Sequence, residues 1–123
     1  MTRPWKQKFA DAFRGMREGV RGGTSFRVHF AIALAVLAVA AALRMNVDQW
    51  CIVLLCITVV VVAEYFNTAL EAMARAITRE TDPHIRDALD IASAAVLSAA
   101  FGSVAVGALL FVYRAGQMLK LWA

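Results

Sequence analysis

The run from Trp50 to Ala74 is apolar enough to lie across a lipid bilayer, yet its last third reads Glu64-Tyr65-Phe66-Asn67-Thr68-Ala69-Leu70-Glu71. Two carboxylates and an amide therefore stand where hydrocarbon is expected. Ionisable groups at membrane depth are costly and persist chiefly where they face a bundle interior or a substrate path, so the octet is a candidate functional site. On a helix Glu64, Asn67, Thr68 and Glu71 fall at i, i+3, i+4 and i+7, within an arc of about 100°. They share a face.

The rest of the chain supports a membrane assignment. Of its 123 residues 61% are hydrophobic and 18% charged, whereas a soluble domain is about half apolar. Apolar runs over 26–43, 50–74 and 91–113 predict three transmembrane helices, each near the length that crosses ~30 Å of hydrocarbon. Within 4–22, Trp5, Phe9, Phe13, Met16 and Val20 gather within about 80° of a helix, opposite a mostly basic face, which predicts an amphipathic helix lying in the membrane interface. Gly22-Gly23 ends it. Residues 75–90 read as a polar connection, with Pro83 as a breaker and Asp82 as a cap. The third span carries Ser93, Ser98, Gly102, Ser103 and Gly107, small residues that permit close helix approach. The whole is one all-α membrane domain. So short a chain buries little against itself, and copies packed together are expected.

Lysine and arginine set the orientation. Seven of the 13 lie at positions 3, 6, 8, 14, 17, 21 and 27, and Arg75, Arg79 and Arg86 follow in the second connection. The excess places the N-terminal helix and the 75–90 segment in the cytoplasm, with the octet at the cytoplasmic end of its helix. The first 25 residues have no apolar core of a signal peptide. Cys51 and Cys56 are turned about 140° apart on a helix and are read as small hydrophobes.

A carboxylate at the edge of hydrocarbon, where little water competes for it, is suited to general-base work, which nominates Glu64. A second carboxylate, Glu71, beside the amide oxygen of Asn67 makes a hard, oxygen-rich site suited to Mg²⁺ shared with phosphate oxygens. Base and metal site at the membrane boundary point to phosphoryl transfer from a nucleotide to a lipid hydroxyl; the bland alternative is that Glu64 and Asn67 only hydrogen-bond neighbouring helices. No Walker loop is present. His29 and His84 lack ligand-spaced partners and read as hydrogen-bonded interfacial residues.

Glu64-x-x-Asn67-Thr68-Ala69-x-Glu71, with Asp90-Ile91-Ala92-Ser93-Ala94-Ala95-Val96-Leu97 after it and Ala12-Phe13-Arg14-Gly15-Met16-Arg17 and Phe26-Arg27-Val28-His29 before it, resembles the bacterial integral-membrane diacylglycerol kinase and undecaprenol kinase family. The resemblance implies a homotrimer with sites shared between subunits. It also implies transfer of the ATP γ-phosphate to a lipid alcohol, diacylglycerol or an undecaprenol-type polyprenol, with Mg²⁺ and without nucleic acid as a partner. By position Glu64 matches the catalytic base, Asn67 the polar residue beside it, Glu71 a metal-holding carboxylate, and Asp90 the acidic residue of a Lys-Asp pair. Arg17 falls at a basic position of the surface helix. Three positions depart. Gly23 stands for a glutamate at the metal, Leu89 for the lysine that meets phosphates, and Ala74-Arg75 for a Val-Asp pair. Arg86, Glu18 and Asp87 are the candidate substitutes. The departures motivate a second hypothesis, a repurposed trimer that binds lipid or nucleotide without turnover. A third, a transporter subunit, has against it that one polar cluster at one membrane face makes no path across.

Overall fold

The computed structural model describes residues 2–123, the side chain of Thr24 excepted. Among these residues the chain forms four helices, α1 (Trp5–Gly22), α2 (Thr24–Ala42), α3 (Val47–Ile77) and α4 (Pro83–Met118). The last three are long and apolar enough to cross a membrane. Helix α3 is central, packing most extensively on α4, then on α2, with α1 laid against α3 and α2.

Both long helices extend further than their apolar runs. The 31 residues of α3 and 36 of α4 reach about 46 and 54 Å at 1.5 Å per residue, well beyond ~30 Å of hydrocarbon. Only residues 78–82 lie outside helix in the segment the hydropathy pattern marks as a connection. The reason is local: Ala72-Met73-Ala74-Arg75-Ala76 keeps high helix propensity after its hydropathy has fallen. Helix α4 then starts where capping chemistry dictates. Asp82 accepts hydrogen bonds from the backbone N–H groups of His84 (2.9 Å) and Ile85 (3.1 Å), and Pro83, which has no N–H to satisfy, takes the first helical position.

At the opposite end, Asn46 and Gln49 form a reciprocal capping box at the start of α3. Helix α2 ends in a left-handed turn without glycine. Arg44 has φ 49°, its N–H bonds to the carbonyl of Ala41, and the N–H of Met45 bonds to that of Ala40, which is the Schellman arrangement. Arg114 of α4 closes the turn from outside, donating from Nε to the Leu43 carbonyl (2.9 Å) and from Nη2 to the Arg44 carbonyl (2.8 Å). Beneath it Ala40, Met45 and Val53 form the buried core, with Leu37, Trp50 and Phe111 packed against it.

Little else is buried. Leu34, Leu55, Phe101, Val104 and Leu109 are all more than half exposed, so the sides of the bundle are left for lipid or for other copies. Helix α1 exposes Trp5, Phe9 and Phe13 along one stripe. It is held to the bundle at Gly19, where an added Cβ would stand 2.6 Å from the Tyr65 ring. That ring packs on Phe26 at 5.0 Å, and Gly23 then turns the chain into α2 in an extended conformation (φ −144°, ψ 133°).

Candidate active site

The octet occupies α3 where α1 and the start of α2 meet it. Glu64 is the largest fully buried side chain of the described residues, 2% exposed. A charge so placed needs hydrogen-bond partners, and α2 supplies two on one oxygen. Ser25 Oγ donates to Glu64 Oε1 at 2.7 Å, and His29 Nδ1 lies 2.5 Å from the same oxygen. Ser25 and His29 are one helical turn apart, so the two donors reach Glu64 from a single face of α2. His29 is thus hydrogen-bonded, as its lone position suggested, but its partner is the candidate base itself.

One turn further along α3, Asn67 Nδ2 donates to Glu71 Oε1 at 3.0 Å. The amide oxygen, Asn67 Oδ1, is buried and has no hydrogen-bond partner among the described residues. An orphaned oxygen beside a carboxylate is the donor set a hard cation accepts, and Mg²⁺ takes few protein ligands when phosphate and water complete its shell. These residues fit Mg²⁺ as a one-carboxylate site. No group of three or more His, Cys, Asp and Glu gathers among the described residues, and Gly23 lies beside Thr68, its would-be Cβ 4.0 Å from Thr68 Oγ1, with no carboxylate to add.

Glu71 also lines an open cavity of about 390 Å³ between the end of α3 and the start of α4, together with Arg75, Arg86, Leu89 and Asp90. Of the residues the sequence nominates for nucleotide, Arg86 and Asp90 are here. Arg17 is on the exposed polar face of α1 and does not line this cavity, nor do Glu18 and Asp87. Arg75 does. Neither Arg75 nor Arg86 is ion-paired among the described residues, so two unpaired guanidinium groups border a space that Glu71, Glu80, Asp82 and Asp90 also line. The sequence pattern held signals for the residues it did not nominate: Arg75 is four residues after Glu71, and Ser25 four before His29.

Residues 10–111 match the family described as prokaryotic diacylglycerol kinase. The chain is also similar to undecaprenol kinase of Bacillus subtilis (strain 168), at 33% identity over 106 residues that cover 86% of each chain. The matched segment contains the buried Glu64 with its α2 donors, the Asn67–Glu71 pair and the cavity beside it, and the chain belongs to the prokaryotic diacylglycerol kinase family of membrane lipid kinases.

Proposed function

We propose that the protein is an ATP- and Mg²⁺-dependent kinase of a membrane lipid alcohol, diacylglycerol or an undecaprenol-type polyprenol, working as a homotrimer at the cytoplasmic face of the inner membrane. The observation that carries this is Glu64, a carboxylate held buried by two donors at the edge of the apolar span, with Asn67 and Glu71 on the same face. Seven residues separate Glu64 from Glu71, about 10 Å along the axis. The base therefore stands at the depth of a lipid hydroxyl and the metal donors at the depth of a soluble nucleotide's phosphates.

Glu64 is the base of the site. Glu71 and Asn67 Oδ1 would hold Mg²⁺, which when bound neutralises charge on the transferring phosphate. Arg75 and Arg86 supply the cations that Leu89 does not, and Asp90 lines the same cavity beside the nucleotide. Arg17, on the surface helix, remains a contact for nucleotide only from another copy or after movement of α1. Such a site works by positioning and charge neutralisation more than by covalent chemistry.

The test is transfer of labelled phosphate from ATP to a panel of lipid alcohols in one membrane preparation, with Glu64→Gln as control. Transfer in the wild type that survives Glu64→Gln removes Glu64 from the mechanism. The absence of a carboxylate at Gly23 and a lysine at Leu89 favours a second reading, a trimer that binds without turnover. No transfer to any alcohol, with Leu89→Lys plus Gly23→Glu restoring it, would select that reading.

A further inference from the structure

An alcohol approaching from the membrane does not meet Glu64 first. The Glu64 side chain is 3% exposed and that of His29 24%. His29 also lines a cavity of about 360 Å³ between α2, α3 and α4, whose walls are otherwise largely apolar, with Ile32, Val36, Val60 and Gly107 among them. We propose that His29 is the group that takes the proton from the acceptor alcohol, with the alcohol's chain lying in this cavity and Glu64 acting through the imidazole. This rests on the lipid kinase reading and divides its base into two parts.

The protonation states follow from the contacts. An ionised carboxylate only accepts hydrogen bonds, so the hydrogen between His29 and Glu64 belongs to Nδ1. In the neutral ring Nε2 then carries the free lone pair. Ser25, donating to the same Glu64 oxygen, helps fix the carboxylate and through it the ring. In the transfer the hydroxyl proton passes to Nε2, the alcohol oxygen bonds to the γ-phosphorus, and the bond from that phosphorus to the β-bridging oxygen breaks. ADP leaves with the electron pair. The imidazolium is held against the Glu64 carboxylate and returns its proton to water after release. Few groups compete for this role. From α3, Glu64 faces the imidazole and Cys56 lines the same cavity; α4 presents Ser103 among apolar residues; α1 contributes nothing to the lining.

The cavity is assigned to the acceptor's chain because His29, hydrogen-bonded to Glu64, lines it and because its other walls belong to helix segments apolar enough to span a membrane. Gly107 tests this directly, since it lines the cavity and a Cβ added there meets nothing within 4 Å.

The experiment uses the full chain in lipid, with labelled ATP and alcohols of long and short chain. His29→Asn keeps an N–H toward Glu64 and has no Nε2; His29→Gln is the second variant, both checked for unchanged elution and melting. Each is expected to lower kcat for alcohol transfer about 10²-fold or more and to leave KM for ATP near the wild-type value. Adding Glu64→Gln to either should cost little more, because the pair acts as a unit. Gly107→Leu should raise KM for the long-chain alcohol and leave the short-chain one unchanged. Nitrogen NMR of imidazole-labelled wild type should show His29 protonated at Nδ1, a readout that needs no variant. Retained kcat in both His29 variants, with Glu64→Gln inactive, would show that Glu64 meets the hydroxyl directly. The opposite tautomer would also overturn the proposal. Gly107→Leu that changes the oligomer and not the alcohol KM would give the cavity to a second copy. A wild type that phosphorylates no alcohol would instead bring down the kinase reading.

Discussion

Arg114→Met should destabilise the fold by about 2–3 kcal/mol without touching the candidate site. The guanidinium makes a part-buried bond to the Leu43 carbonyl at 2.9 Å and an exposed one to the Arg44 carbonyl at 2.8 Å. Hydrogen bonds with a charged partner contribute roughly 1.5–3 kcal/mol, less where water competes, so the first bond carries most of the loss and the second about half a kcal/mol. A cation at the C-terminal end of α2 adds a few tenths more. Methionine preserves the stem's packing and so isolates the polar loss. Arg44, held at φ 49°, also loses one of the bonds that keep it in a conformation that non-glycine residues adopt at a cost of about 1 kcal/mol. Equilibrium unfolding in mixed micelles, followed by far-ultraviolet circular dichroism, measures the difference. The same cost should appear in an Arg44→Ala background, because the acceptor is a main-chain carbonyl. A change below about 0.5 kcal/mol, or one that vanishes in that background, would refute a carbonyl clamp.

Three further outcomes are expected. Gly19→Ala forces a Cβ to within 2.6 Å of a Tyr65 ring already packed on Phe26, costing about 1–3 kcal/mol; α1 should lift and become open to trypsin at Arg17 and Arg21, and wild-type protection in the variant would contradict this. Arg75→Ala should raise KM for ATP about tenfold with little change in kcat, as loss of one charge-assisted phosphate contact implies, whereas Arg79→Ala, outside the cavity lining, should behave as wild type; equal effects would remove Arg75 from the phosphate site. Asp11 is held below its usual 3.8 by the Arg3 hydrogen bond, against some desolvation, with Gln7 and Arg14 assisting. A lowered folded value means the contribution is present above the unfolded value and lost as pH falls through the folded one, so the Arg3–Asp11 contact should persist at pH 4 and open in stronger acid; carboxyl NMR placing the Asp11 midpoint at or above 3.8 would contradict the contact.

What the sequence made legible was local. The shared face of Glu64, Asn67 and Glu71 needs only the helical period, and the Asp82-Pro83 start of α4 needs only capping chemistry. Ser25 and His29 on Glu64 were not legible, because that contact depends on how α2 is set against α3, some 35 residues away. Arg75 was hidden differently. Its charge marks the end of an apolar run, and hydropathy cannot tell a helix that leaves the membrane from one that stops. The left-handed turn at Arg44 carried no glycine to announce it, and its stabilising partner is 70 residues distant.

The seating of α1 on Tyr65 has a mechanical consequence. A helix with Trp5, Phe9 and Phe13 turned outward floats at a height set by how deeply those rings partition between headgroups and acyl chains. Because Gly19 seats α1 against Tyr65, the residue beside Glu64, the depth of α1 in a bilayer and the height of Glu64 are mechanically tied. On the proposed lipid kinase reading, changes in lipid packing that raise or lower α1 by a few ångströms would shift Glu64 and its His29 partner relative to the acceptor hydroxyl, so turnover should vary with the bilayer's interfacial packing even at constant concentrations of nucleotide and acceptor.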